Sequence, residues 1–286
     1  MSRQIDQPEP EGTYHIDAEN VAEMARLTKQ SREATIALGL FPQRMNIPSG
    51  AAILDIGCGP GEWALSVARE FPESQITGID LSSIMIAYAQ HSAREQELHN
   101  ASFIVMDARQ PLKFSDEAFD IVHMRFLSGF LTTTLWPRLI AEGYRVLRPG
   151  GLICSTEGES LGITTSPSLA HYNVLQTQAL RMAGHCFTSE GDQMGITAVH
   201  AHLLRDAGFH HIQEQAYAVD YSAGMPRHQG AFDDWRTVMK LMQPYLIRCG
   251  LATQAELDIL YERALAEMSD AHFRALTYLH AAWGEK

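Results

Sequence analysis

Short apolar runs alternate with amphipathic stretches through the middle of the chain. Residues 51–56 are apolar, end in an acid and glycines, and read as a buried strand. Residues 62–71 carry helical periodicity that stops before Pro72. Strand-like runs follow at 75–80, 102–107 and 119–124, with a helix over 83–97 between the first two. Residues 135–147 are helical and closed by Arg148-Pro149-Gly150-Gly151, a helix-stop signal, after which 152–157 read as a fifth strand. Strand and helix alternating at this spacing predict an α/β fold: a mainly parallel sheet, helices on both faces and right-handed crossovers.

The flanks are less regular. Residues 17–40 are helical in pattern, with Val21, Met24, Ala25 and Thr28 on one face, Asp17 as the N-cap, and Gly39 and Pro42 breaking the end. Residues 1–12 are polar and acidic, with Pro8 and Pro10, and predict a loosely attached tail. Residues 158–196 are polar and rich in glycine and histidine. Beyond them come a helix over 197–207, a strand over 211–221, two helices across 231–268 and a strand-like run over 276–283.

Composition narrows the picture. The chain has 286 residues and a formal charge of −12, so phosphate backbones gain little from it, and a nucleic-acid partner is not expected. Cys58, Cys154, Cys186 and Cys249 form no C-x-x-C pair and no zinc spacing, so no metal is expected, and a reducing cytoplasm fits. His200 and His202 share no helix face, which adds nothing toward a metal site. No apolar run approaches the roughly 18 residues that would span a bilayer. The expectation is a soluble cytoplasmic protein without a membrane partner.

The chemistry concentrates in Asp55-Ile56-Gly57-Cys58-Gly59-Pro60-Gly61. A strand runs into a turn of alternating glycines and then a helix. Glycine accepts positive φ and lets a ligand approach the backbone. Ligands of open α/β sheets bind beyond the carboxyl ends of the strands, so a nucleotide-like ligand is expected above this turn. A dinucleotide fingerprint would need its third glycine at position 62, which is Glu62, an acid facing a diphosphate badly. Asp55 beside the loop suits a ligand carrying an ammonium. Asp80 closes the second strand and can accept from ribose hydroxyls; Leu81 and Met85 can pack on a base. Asp107 and the Ala108 N–H, at the end of the third strand, can read an adenine edge.

The series Asp55–Gly61, Gly78-Ile79-Asp80-Leu81-Ser82, Met106-Asp107-Ala108-Arg109, Phe119–Met124 and Val146–Gly151 resembles the motifs of class I S-adenosylmethionine-dependent methyltransferases. The likeness covers roughly residues 45–157. Arg125-Phe126-Leu127 and Tyr14-His15-Ile16-Asp17 resemble a bacterial small-molecule branch of specialised metabolism. The resemblance implies a Rossmann-like seven-stranded sheet of order 3-2-1-4-5-7-6, strand seven antiparallel, with N-terminal helices and helical insertions forming a lid. It implies a tail and cap over 1–44, a cofactor domain over 45–221 and 270–286, and a lid over 222–269. Asp55, Gly57, Gly59 and Gly61 would hold the methionine part of S-adenosylmethionine, Asp80 its ribose, and Asp107 and Ala108 its adenine. Met124 and Arg125 would border its amino-acid end. S-adenosylhomocysteine would be the product.

Methyl transfer from a sulfonium is an in-line displacement in which the protein mainly aligns the acceptor and excludes water, so no catalytic motif need be visible. The acceptor pocket is expected from the N-terminal helices, 158–196 and 222–268. Tyr14, Glu157, His171, Tyr172 and His185 are its candidate residues, and His200 and His202 are further histidines there. Phe232, Trp235, Met239, Met242, Tyr245 and Tyr261 read as core, as a lid over an apolar substrate, or as a homodimer surface. Asp233, Asp234 and Arg236 among them suggest a wet face. The competing readings are S-adenosylmethionine bound for a non-methylating reaction, a regulatory binding protein, and an NAD-dependent oxidoreductase.

Overall fold

A computed structural model of the chain describes residues 16, 19–159, 162–191 and 193–286. Five strands run parallel in the spatial order 3-2-1-4-5: β1 (Ala52–Ile56), β2 (Gln75–Asp80), β3 (Ala101–Val105), β4 (Phe119–Arg125) and β5 (Leu147–Gly158). A two-residue strand β6 (Ile163–Thr164) follows, then β7 (His210–Asp220) and β8 (Ala275–Glu285). β8 pairs antiparallel with β5 on one edge and with β7 on the other, and β6 prolongs the β5 edge by pairing with Leu276 and Ala275. Apart from β6, this is the expected order with the last strand reversed between its neighbours.

The strands sort their side chains by alternation. Ile53, Ile76, Phe103 and Ile121 pack with Trp63, Ala64 and Val67 of α2 (Glu62–Glu70) and Ile86 and Ala89 of α3 (Ser83–Glu95) on one face. Leu54, Ile56, Val122, Met124 and Ile153 face the other way, onto Trp136, Leu139 and Ile140 of α4 (Leu135–Val146) and Leu204 of α6 (Ile196–Asp206). Both faces of the sheet are therefore covered, which is why its strands read as apolar runs.

A third core lies at the carboxyl edge of the sheet. It joins Leu169, Tyr172 and Leu175 of α5 (Pro167–Met182), Trp235, Met239 and Met242 of α7 (His228–Arg248), Leu257 of α8 (Gln254–Met268), Tyr221 and Phe273. The first helix, α1 (Val21–Leu38), packs against α7 and α2.

Several expectations shift. Asp17 lies outside the described residues, and Asn20 caps α1 by accepting from the Ala22 N–H. Of the expected face of α1 only Thr28 is buried: Val21 and Ala25 are exposed, while Glu23 and Arg26 turn inward. An internal ion pair between Glu23 and Arg26 makes the inward face polar yet buriable. β3 ends at Val105, so Asp107 sits in the following turn rather than in the strand; pairing stops where Val105 meets Asp80, and the Asp107 carboxylate accepts from the Arg109 N–H. The segment 158–196, polar and rich in glycine and histidine, contains the sixteen-residue helix α5, with Ser166 as N-cap and Pro167 in its first turn.

Candidate functional site

A cavity of about 490 Å³ opens above the carboxyl ends of β1, β2 and β4, within the usual range for small-molecule pockets. Asp55, Gly57, Gly59, Asp80, Leu81, Met85, Ala108 and Arg125 line it together, and Met106 and His123 join them. Gly61, Asp107 and Met124 do not.

The turn after β1 explains the split among the glycines. Gly57, Gly59 and Gly61 all have positive φ. A Cβ on Gly59 would meet only Met85 Sδ, at 3.8 Å, so its bare backbone borders open cavity. A Cβ on Gly61 would lie 2.7 Å from Ala89 Cβ and 2.9 Å from the Phe103 ring. Gly61 therefore serves the close approach of α2 to α3 and β3, not the ligand face.

Two carboxylates are fixed from behind. Asp80 Oδ2 accepts from the Gly59 N–H at 2.9 Å and Oδ1 from the Ser82 N–H at 2.8 Å. Both oxygens keep a lone pair for hydroxyl donors. Burial pushes the Asp80 pKa up, and the two amides pull it back. Asp55, 3% exposed, meets His123 Nδ1 through Oδ1 at 2.8 Å. The two are register partners on adjacent strands. His123 stacks on Trp63 with centroids 3.5 Å apart, and Trp63 Nε1 donates to the Leu40 carbonyl. Neither His123 nor Trp63 was a sequence candidate; the pairing depends on strand register.

Arg125, at the tip of β4, donates to Ser31 Oγ at 2.7 Å and to Thr35 Oγ1 at 3.3 Å, both on α1. Among the described residues no carboxylate pairs with it. Burial lowers its pKa to about 10. Met124, one residue earlier, points to the opposite face and is fully buried against α4, so alternation removes it from the cavity. Asp107 is bound by Arg109 through Nε at 2.8 Å and Nη2 at 3.0 Å. Burial raises its pKa, but the Arg109 contacts outweigh that and hold the carboxyl below its ordinary range.

The acceptor candidates scatter. Tyr14 lies outside the described residues. His171 is exposed on α5 and is not brought to the cavity. Tyr172 is buried against Trp235 and burial raises its pKa, but it does not line the cavity. His185 is buried, with Nδ1 at 3.1 and 2.9 Å from the Ser128 and Leu131 carbonyls, which ties it to the loop after β4. Glu157 is fully buried beneath the same loop and accepts from the Leu127 and Ser128 N–H groups at 2.8 and 3.1 Å. Burial pushes its pKa up to about 7. That loop holds Phe126 at a φ of 61°, a strained value for an aromatic residue. His200 is buried with its pKa lowered by burial to about 3, and His202 is exposed. The cavity is lined further by Arg26 and Leu27, by Gln176, Thr177 and Leu180, and by Asp234, Trp235, Val238 and Met242. Asp234, expected on a wet face, is turned inward.

His210, His211 and Glu285 bring ligand atoms within 4.8 Å of one another, at the opposite end of β7 and β8 from the cavity. No described helix is long and apolar enough to cross a membrane.

Comparison with known proteins bears on the same segment. Residues 53–151 match the model of a methyltransferase domain. Demethylmenaquinone methyltransferase of Listeria welshimeri is 35% identical over 108 residues, which is 37% of this chain and 44% of that relative, less than half its length. The demethylmenaquinone methyltransferase of a Geobacillus species is 26% identical over 224 residues, 73% of this chain and 89% of the relative. Among solved structures, phosphoethanolamine N-methyltransferase 2 of Haemonchus contortus, solved with S-adenosylhomocysteine, aligns with a TM-score of 0.52 at 21% identity, covering 94% of this chain and 60% of that one. The YcgJ protein of Bacillus subtilis aligns with a TM-score of 0.53 at 16% identity, covering 90% and 98%. Residues 53–151 are thus similar to a methyltransferase domain, and the chain as a whole shares the Rossmann-like fold of these solved structures.

Proposed function

We propose that the protein transfers a methyl group from S-adenosylmethionine to a small-molecule acceptor, releasing S-adenosylhomocysteine. The observation that carries this reading is the convergence of Asp55, Asp80, Arg125 and the Gly57 and Gly59 backbone on one cavity. These residues match the cofactor's polar groups. Asp55, with one oxygen held by His123, offers the other to an ammonium. Arg125 offers its guanidinium to the neighbouring carboxylate. Asp80 accepts from the ribose hydroxyls. Leu81, Met85, Met106 and Ala108 supply the apolar walls for the adenine. Asp107 is the candidate reader of the adenine amine, with Arg109 fixing its orientation.

S-adenosylmethionine supplies a methyl carbon already activated by the adjoining sulfonium. The chain's own work is alignment and dehydration. α1, α5 and α7 wall the acceptor side, so the reading assigns 222–269 to a lid, 1–44 to an N-terminal cap, and 45–221 with 270–286 to the cofactor domain. The net charge of −12 favours a small acceptor over a nucleic acid. Four cysteines, all free, fit a cytoplasmic setting.

Incubation with S-adenosylmethionine and a library of small acceptors, read as S-adenosylhomocysteine release, tests the reading. Acceptor-dependent release supports it. Turnover of an acceptor without S-adenosylhomocysteine would reject methyl transfer while leaving the cofactor site standing.

A further inference from the structure

The acceptor half of the cavity contains a built polar corner. Arg26 of α1 is 7% exposed. Its Nε and Nη2 each donate to Glu23 at 2.7 Å, and its Nη1 donates to Asp234 Oδ1 of α7 at 2.8 Å. Glu23 is fully buried, while Arg26 and Asp234 line the cavity. Among the described residues two carboxylates meet one guanidinium here, which leaves these three groups negative when all are ionised. Leu27, Leu180, Val219, Trp235, Val238 and Met242 form the walls around it.

A latch between α1 and α7 does not need this cluster. Lys29–Asp233 and Arg227–Glu33 already join the two helices at 3.5 and 3.3 Å, with Lys29 63% exposed. A buried ion cluster costs desolvation that apolar packing would avoid, so it makes a poor choice as a mere fastener. Nearby on α5, the Tyr172 hydroxyl and Gln176 Oε1 are buried without a hydrogen-bond partner among the described residues. Burial raises the Tyr172 pKa, and the Arg26 and Asp234 charges also reach it. Burial raises the Asp234 pKa and Arg26 counters it. Of the two α5 side chains, Gln176 lines the cavity, and spare polar capacity there is what a ligand's polar group would engage.

We propose that the Glu23–Arg26–Asp234 corner anchors the acceptor, selecting a mainly apolar, neutral or cationic molecule whose hydroxyl or ammonium donates to Asp234. A carboxylate or phosphate at that end is disfavoured by the corner's negative balance. The inference rests on the methyltransferase reading, because it takes this half of the cavity as the acceptor chamber.

The test uses full-length protein saturated with S-adenosylhomocysteine and three probes of matched length: octylamine, 1-octanol and octanoate, titrated by calorimetry. Octylamine and octanol bind about tenfold more tightly than octanoate, the scale of one charge-assisted hydrogen bond. Asp234→Asn lowers octylamine affinity by a similar factor, leaves octanoate unchanged or improved, and leaves S-adenosylhomocysteine affinity as in wild type. Octanoate binding as well as octylamine, no binding by any probe, or an Asp234→Asn variant that keeps the wild-type ranking would each overturn the proposal. If that variant does not fold, the wild-type ranking decides alone. Failure to bind S-adenosylhomocysteine at the outset would count against the methyltransferase reading instead.

Discussion

Asp55 and His123 face each other across β1 and β4, with Asp55 Oδ1 2.8 Å from His123 Nδ1. Burial lowers the His123 pKa although Asp55 pulls it up. The neutral imidazole then carries its proton on Nδ1 and donates it to the carboxylate. Stacking on Trp63 fixes the ring, so the acid's second oxygen is presented in one direction.

Replacing that support is expected to cost binding before it costs fold. His123→Ala should weaken S-adenosylhomocysteine binding about tenfold or more, the scale of a hydrogen bond to a charged group. His123→Asn, which keeps a donor, should recover part of the loss. Isothermal calorimetry on both variants checks this. Equal affinities in wild type and His123→Ala would mean that Asp55 needs no orientation.

Gly59 and Gly61 should separate binding from stability. At Gly61 a Cβ collides with Ala89 and Phe103 and φ is +82°, so Gly61→Ala should destabilise by about 2–4 kcal/mol from left-handed strain plus overpacking. At Gly59 no atom lies closer than 3.8 Å to the added Cβ, so Gly59→Ala should cost about 1–2 kcal/mol for its φ of +52°. That methyl group projects where the ligand approaches, and cofactor affinity should fall at least tenfold. Denaturant unfolding and calorimetry run side by side resolve the two. A reversed order of stability losses would contradict the packing role of Gly61.

Glu157 gives a pH signature. Its pKa in the folded protein is raised from 4.5 to about 7 by burial. The folded state thus holds a proton that the unfolded chain has released between those values. The associated stability is present below about pH 4.5 and is lost as pH rises through 7. The loss amounts to about 3 kcal/mol. Glu157→Gln cannot titrate, so the stability of wild type relative to this variant should decline by that order between pH 5 and 8. Urea unfolding at the two pH values measures it. A difference that stays constant would place the carboxylate in contact with water.

Much of this was legible in the sequence. The strand carrying Asp55 announces itself as a short apolar run that leads into the glycine turn, and the one carrying Asp80 as a short strand that ends in an acid. Other parts were hidden for identifiable reasons. The burial of α1 runs through Glu23 and Arg26, and a hydrophobicity pattern cannot see an ion pair that neutralises itself inside the protein. The partnership of His123 with Asp55 depends on register between strands 68 residues apart. Met124 and Arg125 looked equivalent by position, and only the alternation of β4 separates them. α5 did leave a trace: Ser166-Pro167 is a helix start, and Leu169, Tyr172, Leu175 and Ala179 share one face, beneath the noise of glycine and histidine around it.

The most direct measurement is the titration of S-adenosylhomocysteine into folded wild-type protein, with Asp80→Ala in parallel. The wild type should take up one equivalent, and Asp80→Ala should bind about 1–3 kcal/mol more weakly, having lost the acceptor for two hydroxyls. A well-folded wild type that binds neither this compound nor S-adenosylmethionine would contradict the account, as would an Asp80→Ala variant that keeps full affinity.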